Sequence, residues 1–384
     1  MKTDEKAILG IESSCDETAA AIVAGGRRIL SSVVASQAEI HHKYGGVVPE
    51  LASREHLRQI VPVVREAAEQ AGIALADVDA IAVTRGPGLI GSLLVGVTYG
   101  KALALALGKP LVGVNHLEGH VHAVFLEAYA AGRTTELPAV CLIVSGGHTV
   151  LYRVQAEETN GAPRRSVRDA NGACHFSYTR IGGTRDDAAG EAYDKAAKML
   201  GLGYPGGPVL DQLAAHGDAR AVQFSQPKMK GNPYDSSFSG IKTAVLYHLR
   251  RHPELQPEIE ARRKALECGP RSAEELRALS SGATLDLIAS FQRAVVEDLV
   301  TRTLAASEEH AARAIFVSGG VAANGELRRT FETEAKERGI EVYFPSRALS
   351  TDNAAMIAAA GYARFVAGER ADATMNAEAN LPLG

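Results

Sequence analysis

Apolar residues fall in short blocks along this chain, and the length and period of each block predict its element. Residues 7 to 11 (Ala-Ile-Leu-Gly-Ile) form a run that breaks at the polar stretch Glu12–Thr18 and resumes over Ala19–Val23. That layout predicts strand, turn, strand. From Ser53 the period lengthens: Leu57, Ile60, Val61, Val64 and Ala68 recur at helical spacing, and Gly72 stands where a helix would close. Ala80–Thr84 reads as a buried strand, Leu93–Leu107 as an apolar helix, Pro110–Val114 as a strand and His116–Ala131 as a helix.

A second strand-turn-strand unit opens at Ala139, with the turn Ser145-Gly146-Gly147-His148 between Val140–Val144 and Thr149–Val154. A hairpin opening each half, followed by strands alternating with helices, predicts two related α/β domains with a cleft between them. They are placed at 1–135 and 136–350, and the closing helix over 353–368 is expected to pack back on the first. Helices over 190–200 and 285–306 and a core strand over 314–317 fill the second. Residues 155–180, polar and basic, predict a long loop, and 251–283 a charged helical stretch interrupted by Pro253, Pro257 and Pro270. Both read as insertions, and the tail after Gly368 reads as frayed.

Composition narrows the class. Apolar residues make up 46% and charged residues 22% of 384 residues, enough to bury the cores of two globular units. The charged start, the acids Glu12, Asp16 and Glu17 in the next block, and the absence of an eighteen-residue apolar run predict a cytoplasmic protein with no signal peptide and no membrane span. Four widely spaced cysteines (Cys15, Cys141, Cys174, Cys268) read as reduced thiols. With 41 Lys plus Arg against 45 Asp plus Glu, the net charge of −4 is not a nucleic-acid footprint. Any such contact needs a local patch, for which Arg164, Arg165 and Arg168, or Arg262, Arg263 and Lys264, are candidates, or a partner.

The sharpest chemical signal is His116-Leu117-Glu118-Gly119-His120. On a helix the two imidazoles share a face and can grip one metal ion. Glu118 stands two residues after the first His, about 100° further round than in a zincin, which weakens a metallopeptidase reading. His122 falls on the wrong face for the same ion. Gly-rich turns follow strands at Arg85–Gly91, Ser145–Gly147 and Ser318–Gly320. Such turns converge backbone N–H groups on phosphate, without the spacing of a P-loop or a Rossmann crevice. Asp16 and Glu17 sit in the first turn, where carboxylates can position a metal, a water or an amine. Asp186 or Asp187 reads as a helix cap, Asp194 lies too far along its helix to be one, and Asp352 is either a cap or a third metal ligand.

These blocks resemble one family, the TsaD (Kae/Gcp-type) tRNA threonylcarbamoyl transferases, formerly called O-sialoglycoprotein endopeptidases. The matching stretches are Gly10–Thr18, Gly45–His56, Gly86–Gly91, Asn115–His120, Val144–Thr149, Asp186–Lys195, Pro205–Pro208, Phe238–Thr243, Ser318–Asn324 and Thr351–Met356, in order over nearly the whole chain. The resemblance implies two related domains of the actin/Hsp70/sugar-kinase (ASKHA) fold with an interdomain nucleotide cleft. It implies that His116, His120 and Asp352 bind one divalent metal, Fe2+ with Zn2+ or Mg2+ as alternatives. Ile143, Val144, Ser145, Gly146 and Gly147 would wrap the phosphate side of the substrate, and Asp194, Gly207 and Asn324 would hold its adenosine.

The implied activity is transfer of the threonylcarbamoyl group of threonylcarbamoyl-AMP to N6 of adenosine 37, in tRNAs reading codons that begin with adenine. Asp16 and Glu17 would be the catalytic carboxylates near the amine, either one as the base, and ATP or ADP could share the cleft. The implied partners are tRNA, a smaller paralogous (TsaB-like) subunit, a P-loop (TsaE-like) ATPase and the synthase that supplies threonylcarbamoyl-AMP. Three rivals remain: a metallopeptidase, an O-carbamoyltransferase or phosphotransferase of the same fold, and a non-enzymatic scaffold.

Overall fold

The computed structural model describes residues 5–156, 176–225 and 229–384. Strands of three to nine residues form two five-stranded sheets. In the first, β1 (Ala7–Glu12), β2 (Glu17–Ala24) and β3 (Arg28–Ser36) are antiparallel, while β4 (Ala80–Gly86) and β5 (Leu111–Asn115) add in parallel beside β1, giving the order β3-β2-β1-β4-β5. In the second, β6 (Ala139–Val144), β7 (Thr149–Ala156) and β8 (Phe176–Gly183) are antiparallel and β9 (Ala314–Ser318) and β10 (Glu341–Tyr343) extend from β6 in parallel. The two sheets have one topology, so the repeat extends well beyond the pair of hairpins.

Helices α1 (Ala38–His42), α2 (Pro49–Ala71), α3 (Ile90–Leu107) and α4 (His116–Ala130) connect the first sheet. The second is served by α5 (Ala189–Met199), α6 (Gly206–Ala214), α7 (Ser239–Arg251), α8 (Gln256–Glu267), α9 (Ala273–Ala278), α10 (Gly282–Glu309) and α11 (Gly325–Glu337). A short α12 (Arg347–Ser350) then leads to α13 (Ala354–Val366), which lies on the first sheet. Among the described residues α3 is long and apolar enough to cross a membrane by length and composition. Its Leu93, Val97 and Ala104 are buried in the first-sheet core with Val83 of β4.

Helix α4 lies between the sheets. Its Ala123 and Leu126 join the cluster under α13, whereas Leu117, Val121, Val124 and Ala128 join residues of β6, β7 and β9. Helix α13 approaches both the sheet and α4 at glycines. A methyl group on Gly10 of β1 would fall 2.3 Å from Ala354 O, one on Gly361 2.3 Å from Ala82 Cβ, and one on Gly119 2.8 Å from Ile357 Cδ1. Real Cβ atoms do not tolerate such contacts, so small residues set the depth at which this helix docks.

Three expectations need correction. The span 155–180 is not all loop: β7 runs through Ala156 and β8 begins at Phe176, so two of its ends pair in the sheet, while the part between lies outside the described residues. The tail after Gly368 is not frayed, because Met375, Ala377 and Leu383 are each at most 8% exposed. Arg262 is no part of a basic surface patch: it is fully buried and donates to Leu200 O, Leu279 O, Ser280 Oγ and Glu258. The other proposed patch, Arg164, Arg165 and Arg168, lies outside the described residues.

The glycine-set depth of α13 is testable away from the cleft. Gly361→Val forces a branched side chain against Ala82 and is expected to cost about 1–3 kcal/mol or more of unfolding free energy, read from the urea midpoint. An unchanged midpoint would show that α13 does not pack at this separation.

Candidate metal centre in the interdomain cleft

Two histidines one helical turn apart and an aspartate more than 230 residues further along the chain meet where α4 begins. Asn115 caps α4, its Oδ1 accepting the Leu117 N–H at 2.9 Å, so that His116 is the first helical residue and His120 stands one turn on. Their ring centroids are 4.8 Å apart. The third member arrives just before α13. Asn353, not Asp352, caps that helix by accepting the Met356 N–H at 3.0 Å. The Asp352 carboxylate is thereby left facing His120 Nε2 at 3.3 Å and His116 Nε2 at 3.6 Å.

One ligand atom from each of the three lies within 4.8 Å of the others. His120 is fully buried, yet neither ring nitrogen has a hydrogen bond of acceptable geometry among the described residues. A buried imidazole in that condition is costly unless something completes it. Two imidazoles and one carboxylate suit a divalent zinc or first-row transition ion, with positions left for outside oxygen ligands. The residues present therefore fit a metal.

His116 is oriented from behind. Glu12, fully buried at the end of β1, accepts from His116 Nδ1 at 3.0 Å and Thr84 Oγ1 at 2.8 Å through Oε2, and from the Ser14 N–H at 2.5 Å through Oε1. With the proton held at Nδ1, Nε2 turns its lone pair to the cleft. Burial alone would lower the His116 pKa, but the Asp352 and Glu12 carboxylates outweigh it and push the metal-free side chain up to about 9. Burial holds His120 below its ordinary value. The His148 ring lies 6.1 Å from that of His116 and is pushed down to about 4, chiefly by burial and then by His116. Its place at the end of the Ser145–Gly147 turn was the only signal for it in the sequence.

The Gly-rich turns divide. Ile143 and Val144 are buried at the end of β6, and the chain then turns through Ser145, whose N–H donates to His148 O at 2.7 Å. Gly146 and Gly147 are exposed, with open space beside them. The start of α5 presses on this turn, since a methyl on Gly190 would fall 2.5 Å from Ser145 O, and Gly319 abuts Val144 O in the same way. Two of the three turns thus share one rim. The third, Arg85–Gly91, packs elsewhere: Gly88 is set against Ser14 O and Gly86 against Glu378 O.

Asp194 and Gly207 are also brought together. The Asp194 carboxylate accepts the Gly206 N–H at 2.7 Å, holding the start of α6, and burial pushes its pKa up to about 6. Asn324 caps α11 through the Leu327 N–H at 2.9 Å and donates to Gln292 Oε1 at 2.9 Å. Asp16 is buried at the entry to β2 beside Glu17, whose carboxyl is raised well above the ordinary range by burial first and then by the charges of Asp16 and Asp352.

Two acids stand corrected, and one keeps its expected direction. Neither Asp186 nor Asp187 caps α5. Asp186 accepts the Phe238 and Ser239 N–H groups at 2.8 and 3.2 Å and so caps α7, while Asp187 pairs with Lys195 and Lys242 at 2.9 and 2.6 Å. Glu118 points away from the histidines to Arg364 of α13, at 2.9 Å from its Nε, and so cannot serve a metal-bound water as a peptidase base. His122 is buried against Phe125 and Phe176 on that far side.

Two sheets of one topology, a trio of side chains at their junction that fits a metal ion and glycine turns beside it make a two-domain α/β protein of the ASKHA fold. Of similar solved structures, full-length HypF in its phosphate- and nucleotide-bound form has a TM-score of 0.52 at 13% identity, over 94% of this chain and 46% of that one, a likeness of fold. Within the class, the chain belongs to the TsaD family, described as tRNA N6-adenosine threonylcarbamoyltransferase, whose family model matches residues 28–359. Proteins of that name from Koribacter versatilis and Symbiobacterium thermophilum are 57% and 50% identical, covering 98% and 99% of this chain and 98% of each relative.

The buried Glu12–His116 bond predicts a measurable effect. Glu12→Gln should weaken Zn2+ binding about 10- to 100-fold, read by competition with a chromophoric chelator. Unchanged affinity would confine Glu12 to packing.

Proposed function

We propose that the cleft takes up threonylcarbamoyl-AMP and that the chain transfers its threonylcarbamoyl group to N6 of adenosine 37, in tRNAs reading codons that begin with adenine. The observation that carries this reading is the His116–His120–Asp352 trio beside the open Ser145–Gly147 turn. Gly146 and Gly147 offer exposed backbone amides to the phosphate, and Asp194, Gly207 and Asn324 lie on the elements that would flank the adenosine. Their own hydrogen bonds fix these elements before substrate arrives, which supports a preformed pocket.

In the proposed reaction the N6–carbonyl bond forms, the carbonyl–phosphate bond breaks, and the electron pair departs with AMP. The proton released from N6 goes to the Asp16–Glu17 pair. At Glu17, burial and the charges of Asp16 and Asp352 raise the affinity of the carboxyl for a proton. Exocyclic amines are weak nucleophiles, so holding the amine against the carbonyl contributes most. His116, His120 and Asp352 would hold one divalent ion, Fe2+ on this reading with Zn2+ or Mg2+ as alternatives. When bound, that ion supplies Lewis-acid stabilisation of charge on the substrate's oxygens. ATP or ADP would compete for the same cleft.

A smaller paralogous subunit, a P-loop ATPase and the synthase that makes threonylcarbamoyl-AMP complete the proposal, all in the cytoplasm. Leu57 and Val61 of α2 and Ile90 and Leu94 of α3, on helices packed together, are each more than 40% exposed. An apolar face of that kind supports a partner subunit. The net charge of −4 supports tRNA capture by the assembly rather than by this chain alone.

Reconstitution tests the reading: threonine, bicarbonate, ATP, the synthase, partner subunits and tRNA, scored for modified adenosine. Product is expected with the wild type, and Asp352→Asn should slow single-turnover transfer on the order of 100-fold or more. No product with active partners, or full activity in the variant, would overturn it.

A further inference from the structure

We infer that the segment after α13, residues 371–384, is a strap that positions the first turn of α4 and therefore the metal-binding histidines. The inference rests on the reading that the trio holds a divalent ion. Its observations come from a different part of the chain.

The strap is fastened along its length. The Ala371 N–H donates to Leu111 O at 2.8 Å on the edge strand β5, and Lys101 Nζ donates to Ala373 O at 2.9 Å. Met375 and Ala377 are buried in the core of the first sheet. Glu378 donates its N–H to Arg85 O at 2.7 Å and pairs with the Arg85 guanidinium, and the Gly88 N–H donates to Ala379 O at 3.1 Å. Leu383, only 5% exposed, ends in the cluster that joins α4 to the second sheet. Two glycines make room for it: a methyl on Gly86 would fall 2.0 Å from Glu378 O, and one on Gly113 2.6 Å from Met375 Sδ.

Covering a sheet edge would explain the first contacts. It does not explain Asn115. That side chain is 4% exposed and works in two directions: Oδ1 caps α4, while Nδ2 donates to Leu381 O at 3.3 Å and Pro382 O at 3.0 Å. Without the strap the amide would lose both of its carbonyl acceptors, and the cap would be free to rotate. His116 is the next residue. The orientation of the first metal ligand is thereby tied to the strap and, through Leu383, to the second sheet.

Two variants of the full chain test this, deletion of Leu381–Gly384 and Asn115→Ser, which keeps a capping oxygen and loses the donor. Readouts are Co2+ affinity by chelator competition and amide hydrogen exchange in the metal-free protein. Each variant should weaken Co2+ binding at least 10-fold and speed exchange at Leu117–His120, with exchange in α10 unchanged. Affinity within twofold of wild type together with unchanged exchange at the start of α4 would overturn the strap. If the wild type itself binds no Co2+, the metal reading fails, and exchange at Leu117–His120 alone decides: faster in both variants supports the strap, unchanged refutes it.

Discussion

Helix α13 docks on the first sheet and against α4 at distances that only glycine permits, and the cleft depends on that contact. Gly10, Gly119 and Gly361 remove the side chains that would hold the helix away, and alanines along α13 fill the remaining space. The consequence is chemical as well as mechanical. Asp352, one residue before the Asn353 cap, is delivered to two histidines that precede it by more than half the chain. A shallower dock would leave the carboxylate short of both rings.

Charge at this junction is balanced in depth. Glu12 and Asp352 face His116 from opposite sides, Glu12 at Nδ1 and Asp352 toward Nε2, and their combined field overcomes the burial that would otherwise keep the imidazole neutral. A divalent ion would replace that proton and satisfy His120 at the same time, which is why an ion fits better here than an ion pair alone. On the far side of α4, Arg364 neutralises Glu118, so the helix carries its acid away from the cleft.

Much of this was legible in the sequence, and for physical reasons. The period of Leu57, Ile60 and Val64 gave away a helix, the spacing of His116 and His120 gave away a shared face, and the order of motifs pointed to the family. What escaped was long-range pairing. Strand β3 is half exposed and carries polar residues, and β8 adjoins a basic stretch, so neither shows the apolar block that marks a central strand. Asp186 looked like a cap for the helix beside it, whereas its partners lie at the start of α7. Glu12 and His148 lie within matched stretches, but nothing local marked their approach to His116. The strap defeated sequence reading most completely, because backbone groups, Asn115, Lys101, Arg85 and a few scattered apolar side chains hold it rather than a periodic face.

The central claim is that α4 and α13 together build one metal site. X-ray absorption on purified protein loaded with one equivalent of Zn2+ tests it most directly. A nitrogen and oxygen shell containing two imidazoles is expected, with one imidazole lost in His120→Ala. A sulfur ligand, which Cys15 near Asp352 would supply, or a spectrum unchanged in that variant would contradict it.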